Sequence, residues 1–471
     1  MARTSAHRQE RTHVTAANDG VAAEVVACRS TAIVPDGSQP FVMRWRHDDV
    51  RALRSLAWVG LVGVLVAGCA SSSHPRASES LAGSAVSSPA LGVSSSVASS
   101  PASPPPLVSS SLISSPLSSS PAPSEPGRPS VDPQSVSFVS ASTGWLWGPG
   151  GCCAEQGYGP GTLAKTTDGG TSWQTVATPG IDYGQYGEPI DSGATGVRFV
   201  DDRHGYLFGD QLFVTSDGGA TWRRQQTPGP VADIEDAAGT VYALVRDCPT
   251  AAACAAAQTA TDRLFELSGD GATFTTVGPT GPVSDLSQLI THASSVFLLA
   301  PDTTVPGPTT LWTKLPDGSW QQQSTPCEWS GADFAAMASW SATGLALVCG
   351  SEPSAGNQPK VAYTSTDTGG HWHEVAAPDA SGYVADLAAA DARTWVLGEA
   401  RGGMLVTHDG GRSWQDAAFS GELPWVEGWV GVTFVSATQA VASPWTLNGS
   451  ALAITTDGAR TWRAITFPSG R

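Results

Sequence analysis

KTTDGGTSWQTV, from Lys165 to Val176, is the stretch that decides the fold. The chain writes nearly the same phrase four more times: TSDGGATWRRQ from Thr215, STDTGGHWHEV from Ser365, THDGGRSWQDA from Thr407 and TTDGARTWRAI from Thr455. Each copy places a polar turn before a tryptophan. Glycine after aspartate permits the positive φ that a tight turn requires. The carboxylate can accept backbone N–H groups and close the turn. The tryptophan supplies a large apolar body for packing within and between repeats. The phrase therefore reads as architecture: Asp168, Asp217, Asp367, Asp409 and Asp457 close turns, while Trp173, Trp222, Trp372, Trp414 and Trp462 pack.

Two looser copies fill the gap, SGDGATF with Asp270 and Phe274, and LPDGSW with Asp317 and Trp320. Their aspartates stand four and three residues before the aromatic, against five in the clear copies, so a different turn geometry is expected there. Aligned on the aromatic, successive copies are 49, 52, 46, 52, 42 and 48 residues apart. A repeat of 40 to 50 residues with strand-like content is the signature of a β-propeller. A second phrase runs in step with the first, as in VSFVSASTGWLWG from Val136 and VRFVDDRHGYLFG from Val197. Alternation, a turn and a second apolar run make it a hairpin. The sequence thus predicts an all-β protein: a seven-bladed β-propeller of four-stranded blades over residues 131–471, preceded by a disordered N-terminal region. No strand is visibly lent across the closure, so the ring is expected to close by side-chain packing between blades 1 and 7.

The pattern Ser/Thr-x-Asp-x-Gly-x-Thr-Trp resembles the Asp-box, or bacterial neuraminidase repeat. The accompanying Phe-Val…Gly-Trp-x-x-Gly phrase resembles the photosystem II assembly-factor-like group of these propellers, and sialidase-type propellers more distantly. The resemblance implies that the boxes lie on the outer rim, away from the central channel. A sialidase would also need an arginine triad, an Arg-Ile-Pro entry motif and a Tyr/Glu nucleophile pair. No Arg-Ile-Pro occurs, and Arg223, Arg412 and Arg460 lie in or next to the boxes. No HExxH, P-loop or calcium-loop pattern is present. No catalytic residue, metal ligand or cofactor is assigned from the sequence.

The chain carries 42 Asp plus Glu against 25 Lys plus Arg, a formal net charge of −17. That excludes nucleic acid as the expected partner, because phosphate binding relies on Lys and Arg displacing counterions. The front end reads as export. MRWRHDDVRALR from Met43 is basic, SLAWVGLVGVLVAG from Ser55 is apolar, and Cys69 follows. The run is too short to span a bilayer, which needs about 20 residues. Val66-Ala67-Gly68-Cys69 resembles a bacterial lipobox, which implies lipidation of Cys69. A plain secretory signal with an incidental cysteine is the alternative. Residues 1–42 are expected to lie outside the mature protein, with 43–68 as the signal peptide. Residues 69–130 are the lipidated cysteine and its tether, more than half Ser and Pro from Ala70 onward and without Phe, Trp or Tyr. Such a segment buries too little to order itself.

The b–c and d–a connections are the long ones and should share one face of the ring, opposite the short a–b and c–d turns. Long loops on a rigid scaffold are where binding residues concentrate. They carry Tyr158, Asp182, Tyr183, Tyr186, Glu188, Trp329, Glu422, Trp425 and Trp429, a candidate binding face of aromatics and carboxylates suited to a protein or a glycan. Merely packing over the rim is the competing role for each. Of six propeller cysteines, Cys248 is expected to pair with Cys254 and Cys327 with Cys349, while the adjacent Cys152 and Cys153 are left for a vicinal bridge. The expectation is a monomeric, extracytoplasmic lipoprotein held to the membrane by its lipid, a non-catalytic scaffold for a cell-envelope protein. Glycan binding is the alternative, and a sialidase-like hydrolase a third.

Overall fold

In a computed structural model the described residues are 128–468, apart from 151–158, 185–192, 249–252, 254–260, 285, 302–306, 330–333, 422–425 and 446–449. Residues 1–42, the signal peptide, Cys69 and the tether to residue 127 lie outside them, as do Cys152, Cys153 and Cys254.

The first blade is a four-strand antiparallel meander: Ser135–Phe138, Gly144–Pro149, Gly159–Thr166 and Gln174–Val176, strands a to d from the inside outward. Six more follow, with a strands at Ala194–Phe199, Val231–Ala237, Gln288–His292, Ala335–Ser339, Tyr383–Ala389 and Gly428–Phe434. The fold is an all-β, seven-bladed propeller. Period-2 sequences such as Ser135-Val136-Ser137-Phe138 make the strands, and the a–b turns are made by a short polar side chain. Ser140, Asp201, Ser341, Asp391 and Ser436 each accept amides two and three residues on.

A blade is apolar on both faces, so it must be covered on both. Seven buried apolar clusters do this, one at each junction between neighbouring blades. The one between blades 7 and 1 joins Val131, Leu146, Ala164 and Trp173 to Val441, Leu452, Ile454, Ile465 and Phe467. Trp173 packs edge-on between Phe138 of its own blade and Phe467 of blade 7, with ring centroids 6.0 and 6.1 Å apart. The Arg128 guanidinium adds a hydrogen bond to the Thr466 carbonyl. The ring closes by packing, without a strand shared between the two blades.

All seven box aromatics obey one rule. Trp173, Trp222, Phe274, Trp320, Trp372, Trp414 and Trp462 each belong to the cluster shared with the preceding blade. Trp173 and Trp462 are fully buried and the other five partly so; full burial of a tryptophan removes about 150–250 Å² from water. That is about 4–6 kcal/mol of apolar burial, against about 1 kcal/mol for a turn hydrogen bond. The aromatic holds the blades together; the turn aims it.

Edge strands are a hazard in any sheet, and here every a strand is an edge facing the channel. At blades 2, 3, 5 and 7 the preceding blade covers it with a polar side chain. The Ser135 hydroxyl bonds both backbone groups of Val197, and the Ser137 hydroxyl both of Phe199, in blade 2. Arg198 donates to the Ile234 carbonyl and pairs with Glu235 in blade 3. Gln288 bridges to Ala335 and Met337 in blade 5. Asp386 accepts from Val432 in blade 7. Each bridge runs from one blade to the next in the same sense around the ring.

Cys327 and Cys349 form a disulfide, Cα atoms 5.3 Å apart, tying the d strand of blade 4 to the b strand of blade 5. Cys248 is also disulfide-bonded.

Candidate functional site

The boxes form one side of the ring. In the five clear copies the residue two before the aspartate is a buried Thr or Ser: Thr166, Thr215, Ser365, Thr407 and Thr455. Its hydroxyl donates to the carboxylate at 2.8–2.9 Å. The same oxygen accepts the amide two residues beyond the aspartate, at 2.9–3.1 Å. The carboxylate then takes the amide four residues on, and that residue's hydroxyl or, in blade 5, the His371 ring. The Thr221 hydroxyl, followed by the Thr221 amide, holds the Asp217 carboxyl down to about 2. The Ser413 hydroxyl is the main influence holding Asp409 at about 2, with burial opposing it. Asp367 is lowered chiefly by His371. These carboxylates are occupied with their own turns. The two loose copies differ as their spacing implies: Asp270 bonds Ser268 and the Ala272 amide, and Asp317 bonds Ser319 alone.

The central channel encloses about 430 Å³, and Arg198, Asp233, Glu235, His292 and Asp386 contribute to its wall. Arg198, Asp233, Glu235 and Asp386 are engaged with inner-strand backbone or with one another. Asp233 accepts the Ile234 amide, Asp386 the Leu387 and Val432 amides, and Glu235 pairs with Arg198. Among the described residues no three His, Cys, Asp or Glu side chains gather as a metal site requires.

The opposite side carries the long connections. The Gly161 amide donates to Ile181, and Gly159 and Pro160 pair with Tyr183 and Asp182, so a b–c loop and a d–a connection meet there in blade 1. Of the sequence-derived face residues, Asp182 is exposed and Tyr183 half-buried against the blade 1–2 cluster. Trp329 pairs through its backbone with Gly307. Tyr158, Tyr186, Glu188, Glu422 and Trp425 lie outside the described residues. Trp429 is a correction: it is 2% exposed and stacks on Phe419 at 5.3 Å. It opens the inner strand of blade 7, and the d–a connection folds Phe419 over it to bury both. Sequence context alone, FSGELPWVEGW, reads as loop and hides this.

Two buried ion pairs sit on this side. Arg246 and Asp262 meet at 3.4 Å at the mouth of the blade 3 b–c loop. Lys360 and Glu399 meet at 2.8 Å with both side chains fully buried. Burial pushes the Glu399 carboxyl up to about 7, against the pull of Lys360. Sequence reading missed both, because nothing in the local pattern marks a strand-end charge as buried.

No family model matches the chain. No curated protein matches it either. Among solved structures, a chain described as YCF48 bound to D1 peptide is similar at 17% identity and a TM-score of 0.46, over 72% of this chain and 94% of that one. YCF48 from Cyanidioschyzon merolae gives 15% and 0.42, over 74% and 97%. A Niastella koreensis GH74 enzyme gives 10% and 0.38, over 71% of this chain and 65% of that one. The fold assignment rests on the blades and junctions described above.

Proposed function

We propose that this chain is a cell-envelope lipoprotein whose propeller is a non-catalytic docking scaffold for a protein partner, which it engages through the long-loop side. The observation that carries the reading is how the polar groups of the rest of the ring are employed. Box carboxylates close their own turns, and inner-strand side chains cover the edges of the next blade. General acid–base or nucleophilic work needs a side chain within reach of a substrate. The loops, set on a rigid ring, are the part free to vary. Lipidation at Cys69 and the Ser/Pro tether would hold the ring near a membrane, as a monomer, outside the cytoplasm.

The test is cross-linking capture from the producing cell's envelope with the full chain as bait. The control bait has loop segments 185–192 and 422–425 shortened. One envelope protein enriched by the full chain and lost with the control supports the scaffold. Enrichment of wall polymer alone, with tryptophan fluorescence quenched by wall sugars, would move glycan binding to first place.

A further inference from the structure

The two sides of the ring differ in how their charges are placed. On the box side, acids and bases stand together in the same turns. Arg203 and Arg393 are exposed in a–b turns capped by Asp201 and Asp391. Arg412 and Arg460 are exposed in the boxes closed by Asp409 and Asp457. That side is electrically mixed.

The long-loop side is not. Its b–c and d–a connections hold a single Lys or Arg, Arg401, and the charge of Arg401 is answered by Glu427 nearby. The cations at the strand ends beside these connections are taken inward. Arg246 pairs with Asp262 and Lys360 with Glu399, the two cationic side chains being 3% and 0% exposed. What stays outside is carboxylate. Asp182 lies between blades 1 and 2, Glu328 near the end of the blade 4 d strand, Glu352 in the blade 5 b–c loop and Asp379 between blades 5 and 6, and all four are exposed. Asp379 accepts from Ser381 in its own turn. Among the described residues no donor engages the Asp182, Glu328 or Glu352 side chain.

These carboxylates are spread around the ring, and among the described residues they do not gather as a metal ion requires. Charge of one sign spread over a rigid face suits a broad surface of the opposite sign, which it steers and orients. It also repels a second copy of the same face.

We propose that the long-loop side recognises a Lys/Arg-rich segment of its protein partner. The inference deepens the reading under Proposed function and rests on it, but the charge selectivity of the face can be measured without the partner.

The probe is a short fluorescein-labelled Arg-Ser repeat peptide, read by anisotropy against the full chain at low salt. Wild type is compared with a long-loop variant, Asp182→Asn, Glu328→Gln, Glu352→Gln, and with a control that loses the same charge near the boxes, Asp202→Asn, Glu266→Gln, Glu374→Gln. The long-loop variant should bind roughly tenfold more weakly, the sum of three exposed ion pairs, and the control should stay near wild type. High salt should erase the difference. Equal loss in both variants would mean that binding follows net charge, and would overturn the assignment to this side. A peptide that binds none of the three chains would overturn it as well. Displacement of the peptide by spermidine at equivalent charge would overturn the choice of a protein segment in favour of a small polyamine. Capture from the envelope separates this inference from the reading beneath it. A partner captured undiminished by the long-loop variant would leave the scaffold standing and remove basic recognition. Peptide selectivity as expected, in a chain that captures no partner, would leave the charged face standing and remove the scaffold reading.

Discussion

The Thr368 amide donates to the Thr343 carbonyl at 2.9 Å, tying the box turn of blade 5 to the a–b turn of the same blade. The same bond recurs from Gly169 to Ser142, Gly218 to Arg203, Gly410 to Arg393 and Gly458 to Thr438. It places both short turns of a blade on one side and leaves the long connections to the other. The loose copies lack it: Gly271 and Gly318 bond back to Ser268 and Leu315 within their own turns.

Thr368 occupies a position that is glycine in most of the boxes, and it does so at φ 61°. A threonine is strained there. Thr368→Gly is therefore expected to raise stability by about 0.5–1 kcal/mol, after the loss of backbone freedom that glycine brings. Gly369→Ala next to it should do the opposite, because a Cβ at φ 88° would meet Leu311 Cδ2 at 2.5 Å. Urea midpoints of the two variants, moving in opposite directions, are the check.

The box carboxylates also set a pH window. Asp217 and Asp409 are held to about 2 in the fold, below their ordinary value of about 4. The folded state thus prefers the ionised form. The stability that each contributes is complete above about pH 4 and is lost as pH falls toward 2. Melting curves over that range should fall steeply for wild type and less steeply for an Asp217→Asn, Asp409→Asn double variant. Equal slopes would mean that the carboxylates are not coupled to folding.

Reduction of Cys327–Cys349, or replacement of both by alanine, frees a loop with a sequence separation of 22. A bridge of that span is worth about 3 kcal/mol, largely through the unfolded chain. Guanidinium unfolding should show a loss of that order, with the ring still closed at the blade 1–7 junction, read from amide-exchange protection at Trp173 and Ile465. A loss below about 0.5 kcal/mol would contradict this.

Much of the ring was legible in the sequence, because turn chemistry and strand alternation are local. One box such as Asp168 through Trp173 says little alone, but five copies in register mark the blades, and the Cys327–Cys349 pair followed from the position of the two cysteines about one hairpin. What escaped is non-local. Ser135 and Ser137 alternate with apolar residues as solvent-facing positions do, yet their hydroxyls cover the edge of blade 2. Trp429 sits in a stretch with turn residues on both sides, and only the fold brings Phe419 onto it. Lys360 and Glu399 come from different blades, and neither has a neighbour in sequence that announces the other. The buried hydroxyl two residues before each box aspartate was visible in all five clear copies, but as pattern without a role.

The most direct test of the account sets the two sides of the ring against each other in the same capture assay. One variant carries Asp409→Asn on the box side; the other has loop segments 185–192 and 422–425 shortened, leaving Tyr183, Phe419 and Trp429 in place. The account predicts a lower melting temperature with full partner capture, below that temperature, for the first, and an unchanged core with lost capture for the second. Capture lost with Asp409→Asn and kept with the shortened loops would contradict it, and would make the repeated aspartates a binding surface.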